Sequence, residues 1–243
     1  MEKLVYALWP ASGLSADGFR DDLLAGLGPQ LTQREEVHGV RLAVADSAVA
    51  PAAARRMESH PPLPCALLSL WVDAAESAAW EPLIDRYAVT HVASGASAAG
   101  RVEAEPLVSH RLHPAAPGQR VHGMCQVVFF RKPAQLDRND WLAIWQGSHT
   151  RVAIETQSTF GYRQNLVVRA LDDGALPCDA VVEENFPPGA MASDHEFYAS
   201  GGDDALLQQR MTAMFESCGR FIDFEHIDVI PMSEYLIKPL AAP

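Results

Sequence analysis

The sequence predicts an α+β fold of two ferredoxin-like βαββαβ units, and three observations carry that prediction. The start of the chain, LVYALWPASGLSADGFRDDLL, returns in outline at its middle as VVFFRKPAQLDRNDWLAIW. Leu14, Ser15 and Phe19 match Leu136, Asp137 and Trp141 at a constant offset of 122 (136 − 14, 137 − 15, 141 − 19), about half of the 243 residues, as a duplicated unit requires. Each half then runs through the same order of hydrophobic periodicities, and the stretch between them, Pro114 to Gly118, has none and reads as a linker. The halves are placed at residues 1–113 and 123–243, with the linker at 114–122.

In the first half an apolar strand stops at Pro10, and Ser15 caps a helix that runs to about Leu27. A strand around Glu36 to Ala45 follows, then an alanine-rich stretch and an apolar strand from Cys65 to Val72. A helix from about Ala75 to Tyr87 and an extended region before His113 complete the unit. In the second half, strands are expected near 124–131, 160–170, 179–186 and 226–237, with helices near 138–150 and 204–220 and a short one from Ser193 to Tyr198. Pro133 ends the first of these strands and Asp137 caps the helix after it. An antiparallel sheet that carries its helices on one face leaves its other face in need of a cover.

Composition narrows the function classes. With 48% hydrophobic residues the chain can bury a substantial core. A net charge of −12 and a pI near 5.1 argue against nucleic acid and anionic membrane partners, both of which need a basic face. Cys65, Cys125, Cys178 and Cys218 are scattered without zinc or redox spacing, so they read as reduced residues of a cytoplasmic protein. The N-terminal apolar run is too short for a signal peptide, and no stretch approaches the roughly 20 apolar residues of a membrane span.

The most informative segment joins strand, turn and a helix ending on a histidine. Trp141, Trp145 and His149 stand at i, i+4 and i+8 and share one stripe, either core or the wall of a pocket with a titratable rim. A histidine at a helix C-terminus is also favoured by the dipole there. In the first half the equivalent positions are Leu23 and Leu27 (145 − 122, 149 − 122), so the polar equipment belongs to the second half. Along GYRQNLVVRA, Tyr162 and Gln164 share one face while Arg163 and Asn165 share the other. Glu183 and Glu184 are adjacent on a strand, so one faces inward, where burial raises a carboxyl pKa and suits it to proton transfer. His226 and Asp228 lie two apart and could form an oriented pair. His149, His195 and His226 lack any metal-ligand spacing, so no metal is expected. His60, His91, His110, His113 and His122 read as loop or strand-end residues, and no phosphate-binding glycine loop or G-x-S-x-G elbow occurs.

The run F-R-K-P-x-x-L, an acidic cap, then W-x-x-x-W-x-x-x-H and IETQSTFGYRQN resembles the signature of the EthD family, a branch of the dimeric α+β barrel superfamily. The match covers the second half well and the first in outline. The resemblance implies two antiparallel sheets facing each other as an α+β barrel, and a homodimer. It also favours Tyr162 and Gln164 as cavity residues. The implied function is cofactor-independent acid–base chemistry (cyclase, dehydratase or lyase) on a small apolar, aromatic or polyketide-like molecule in the C-terminal half. In that picture His149 moves the proton, and Tyr162 or the inward glutamate, carried forward as Glu184, stabilises an oxyanion. Trp141, Trp145, Phe130, Gln164 and Asn165 contact the substrate. Other branches are monooxygenases with a Trp, Asn and His near the substrate, a set that Trp145, Asn165 and His149 could supply. A non-catalytic accessory or binding protein of a degradation pathway is the third expectation.

Overall fold

Eight strands close into an antiparallel barrel. The computed structural model describes residues 1–10, 13–75, 81–84, 88–94, 103–104, 112–170 and 177–240. The N-terminal unit contains β1 (Glu2–Trp9), helix α1 (Ala16–Asp22, Leu23–Leu27 and Gly28–Thr32), β2 (Val37–Val44), β3 (Ala66–Val72), the short α2 (Glu81–Ile84) and β4 (Ala88–Ser94). A two-residue strand, β5 (Glu103–Ala104), precedes the C-terminal unit. That unit contains β6 (Met124–Arg131), helix α3 (Arg138–Ile144, Trp145–His149 and Thr150–Thr156), β7 (Gly161–Ala170) and β8 (Ala180–Phe186). It ends with α4 (Asp194–Phe197), α5 (Asp204–Cys218) and β9 (Asp223–Lys238). Of the helix expected over 75–87 only Glu81–Ile84 is described, and most of the extended region before His113 lies outside the described residues.

The strand order is β4-β1-β3-β2 in the first unit and β9-β6-β8-β7 in the second, which is one ferredoxin-like order used twice. The sheets do more than face each other: β2 pairs β9 and β4 pairs β7, so both seams are hydrogen-bonded and the barrel closes. Closure consumes edge donors and acceptors that two separate sheets would leave open. Val5, Ala43, Leu67, Val127, Phe129, Val181 and Ile230 fill its interior. Helix α1 covers the outer face of the first sheet through Phe19, Leu23, Leu27 and Leu31. Helices α3 and α5 cover the second through Trp141, Trp145 and Met214.

The repeat is visible atom by atom. Ser15 and Asp137 both cap their helices, accepting from Gly18 N in one case and from Asn139 N and Asp140 N in the other. Each long helix contains a π turn, at Leu23–Leu27 and Trp145–His149, again 122 apart (145 − 23). Both helices outrun the sequence expectation, α1 to Thr32 and α3 to Thr156. In α1 the π turn falls just before Pro29, where the ladder must lose a donor in any case. His149 therefore sits in the middle of α3, and its helix-dipole role is withdrawn.

Candidate functional site

The outer face of the C-terminal sheet carries a polar row that its N-terminal counterpart lacks. Glu184 on β8 is registered with Gln126 on β6 and Tyr162 on β7, so the three side chains stand side by side on the helix-covered face. The row related to it by the duplication is Leu4, Leu70 and Val40, with Leu70 registered against both others. That row is buried and aliphatic. The fold thus builds this position from hydrocarbon in one half and from an amide, a carboxyl and a phenol in the other.

Between the polar row and helices α3 and α5 lies a cavity of about 380 Å³. Glu184, Tyr162, Gln126, His149, Trp145 and Phe130 line it, and Met211, Met214 and Cys218 of α5 form part of its opposing wall. Its rim is apolar: Phe215, Phe224 and Met57 are 63%, 43% and 43% exposed. The charged groups bordering it at Arg55 and Asp194 pair with each other at 3.1 Å. Arg55 also lies over the Phe197 ring.

The cavity lies outside the barrel, in the layer between sheet and helices. The glutamate that faces the barrel interior is Glu183, and Glu184 points the other way. Glu184 is 6% exposed, and no hydrogen-bond partner for it occurs among the described residues. Burial alone pushes its carboxyl up to about 8, so at neutral pH it is mostly a protonated acid. Burial likewise raises the Tyr162 phenol far above its ordinary range, with Glu184 adding to the effect, and the hydroxyl accepts from Gln164 Nε2 at 3.3 Å. Trp145 lies beside it, and its buried indole N–H acts as a donor towards the same hydroxyl.

His149 is buried against Phe221, with Nδ1 2.9 Å from Ser217 Oγ. Burial, helped by Arg220, lowers its pKa to about 4, so the ring is neutral at pH 7. The unfolded chain takes up this proton near 6.5 and the folded one only near 4, so the wild type loses stability as pH falls from 6.5 towards 4. His149→Ala should lack that loss. Its stability deficit, measured by urea unfolding, is expected to narrow between pH 7 and pH 4.5, and a constant deficit would contradict the buried neutral imidazole.

Other sequence candidates fall elsewhere. Trp141 stacks behind Trp145 and donates from Nε1 to the Phe221 carbonyl at 3.0 Å, which makes it second-layer core and not cavity wall. Gln164 donates to Thr150 Oγ1 at 2.9 Å and braces Tyr162 without lining the cavity. Asn165 points into the barrel, where Lys3 Nζ donates to it at 2.5 Å and it donates to Glu183 at 3.0 Å. Strand parity forbids it from sharing a space with Tyr162.

His226 pairs with Asp223, while Asp228 holds His60, so the expected His226–Asp228 pair does not form. His91 belongs to β4 and not to a loop; His110 lies outside the described residues. Among the described residues no group of three or more His, Cys, Asp or Glu side chains could hold a metal ion. All four cysteines are free, and no described helix is long and apolar enough to cross a membrane. Sequence reasoning passed over Gln126, although the 122-residue offset pairs it with Leu4 (126 − 4) and so marks the same asymmetry as Leu23 and Leu27.

No protein-family model matches the chain, and no curated protein matches it in sequence. Solved structures do. An anthrone oxidase-like protein superposes with a TM-score of 0.57 over 99% of this chain and 95% of its own, at 8% identity. A chlorite dismutase from Candidatus Nitrospira defluvii superposes with a TM-score of 0.47 over 98% of this chain and 91% of its own, at 11% identity. At these identities the likeness is one of fold, an α+β barrel.

Proposed function

We propose that the chain is a small-molecule enzyme performing acid–base chemistry, without a cofactor, on an uncharged, largely apolar aromatic or polyketide-like carbonyl compound. The observation that carries this reading is the row Gln126, Glu184 and Tyr162 where the duplicated unit has Leu4, Leu70 and Val40. Burying an unpartnered carboxyl is costly, and the first half demonstrates that this sheet position can be aliphatic. A cavity whose bordering charges are paired, and whose rim is apolar, suits an uncharged ring system.

Glu184 is the proton carrier in this proposal. A carboxyl near 8 donates readily to a carbonyl or leaving hydroxyl oxygen, and its conjugate base is strong enough to take a proton from the adjacent carbon. Tyr162, held as a phenol, donates to the oxyanion that develops. The buried Nε1 of Trp145, beside the same hydroxyl, is a second donor. His149 is too weak a base at about 4 to compete with Glu184; it contributes a neutral imidazole fixed by Ser217. Dehydration, cyclisation and decarboxylation all use such a set. Four free cysteines fit a cytoplasmic protein, and homodimer formation is carried over from the resemblance.

The test is proton exchange. Wild-type protein should accelerate deuterium incorporation from D2O at the α-carbon of 2-tetralone, an enolisable bicyclic ketone, and Glu184→Gln should not. Equal exchange by both proteins would remove Glu184 from the proton path. The anthrone oxidase-like neighbour invites a monooxygenase reading. That reading needs Trp145, His149 and Asn165 around one substrate, and Asn165 is committed to Lys3 and Glu183 on the other face of β7.

A further inference from the structure

Gln157 borders two cavities. It lines the cavity described above and also a second cleft of about 270 Å³, which His113, Ser158, Thr159, Phe160 and Arg210 help to enclose. It caps the C-terminal end of α3 in an extended conformation and is 8% exposed. Among the described residues its Oε1 accepts no hydrogen bond, and the Oγ of Ser158 beside it is likewise buried without a partner. Burying an amide oxygen without a donor is unfavourable, so a side chain of this kind at a junction between cavities points to a donor that arrives with a ligand.

The cleft, like the cavity, offers no free charge to a ligand. Its charged groups are already engaged: Arg210 donates to the Tyr198 carbonyl at 2.7 Å, and Glu155 lies 3.9 Å from Arg151 at the surface. What remains is largely apolar, Ile154, Phe160, Pro187 and Ala199, with the Ser158 hydroxyl, the His113 imidazole and the Gln157 amide among them, a lining for uncharged groups. We propose that cavity and cleft form one bipartite ligand site joined at Gln157. The cavity takes an apolar ring system and the cleft an uncharged tail, and a hydroxyl or amide N–H at the junction donates to Gln157 Oε1. This rests on the reading of the cavity as a site for an apolar small molecule.

The test uses naphthalene fluorescence, comparing 2-naphthyl alkanols with two to five chain carbons against 2-alkylnaphthalenes of matched length. In the wild type one alkanol length is expected to bind about 3–10-fold more tightly than its matched hydrocarbon, the fold-change of one net hydrogen bond. Gln157→Leu should bind the hydrocarbons and lose that preference; Gln157→Met serves the same purpose if the leucine variant does not fold. Absence of a preference at every length in the wild type, or its survival in the variant, overturns the bipartite site while leaving the apolar cavity intact. Failure of every naphthyl probe to bind overturns both.

Discussion

Glu184→Gln is expected to lower turnover by roughly 10²–10⁴-fold and at the same time to stabilise the protein at alkaline pH. The two effects share one cause. The carboxyl is buried among the apolar walls of the cavity with no cation beside it among the described residues, so the folded protein holds its proton until about pH 8, whereas the unfolded chain releases it near 4.5. Between those values the folded state binds more protons than the unfolded one, and wild-type stability therefore falls as pH rises. The loss is on the order of 1.4 kcal/mol for each pH unit in that window, a few kcal/mol in all. Glutamine keeps the shape and a hydrogen-bond donor but has no proton to titrate. Urea unfolding should find the variant no better than wild type near pH 4.5 and clearly more stable at pH 9. The rate profile should lose its inflection near pH 8 in the same variant. A Glu184→Gln protein with wild-type turnover, or with a stability gain independent of pH, would mean that Glu184 is an ordinary solvated carboxylate.

Much of this arrangement is legible in the sequence because local chemistry fixes it. Ser15 and Asp137 cap helices wherever they are placed before an apolar periodicity, and the offset of 122 that relates them also relates the two π turns. Replacement of Trp145 and His149 by Leu23 and Leu27 marks which half carries the polar site, and the sheet row agrees with it. Three things were not legible. Strand parity separates Tyr162 from Asn165 and Glu183 from Glu184, but it does not say which face borders the cavity. That depends on where helices α3 and α5 pack, a tertiary matter. The reach of α3 past His149 was also hidden, because the chain continues through Thr150–Thr156 without the glycine or proline that would signal a stop. Lys3 gave no warning of any kind. A lysine near a chain start is ordinarily solvated, and its burial follows only from closure of the barrel around it.

That closure sets up the second large effect, in the barrel interior. Arg163→Met is expected to destabilise the protein by about 3–5 kcal/mol, the cost of stranding buried charge. Arg163 Nη2 donates to Glu234 at 2.9 Å and approaches Glu183 at 3.4 Å, while its Nη1 donates to Asn185 at 3.1 Å. Lys3 holds the other side of Glu183 at 3.0 Å, and Asn185 holds the second oxygen of Glu234 at 2.6 Å. Burial drives the Lys3 ammonium down to about 8, so it remains mostly charged at neutral pH. Burial alone would raise both glutamates; the cations around them more than compensate and hold both below the ordinary carboxylate range. Carboxylates depressed in this way contribute stability above the unfolded value near 4.5 and lose it as pH falls through the folded one. Methionine keeps most of the arginine's length and removes its charge, so Glu234 in particular must bind a proton more readily in the variant. Urea unfolding at pH 7 should register the loss, and acid unfolding should begin at a higher pH than in the wild type. Adding Glu234→Gln to Arg163→Met should restore part of the stability, since the stranded charge goes with it, and a double-mutant cycle measures the share that belongs to the pair. A loss under about 1 kcal/mol for Arg163→Met, within the range of an exposed ion pair, would mean that water reaches this network.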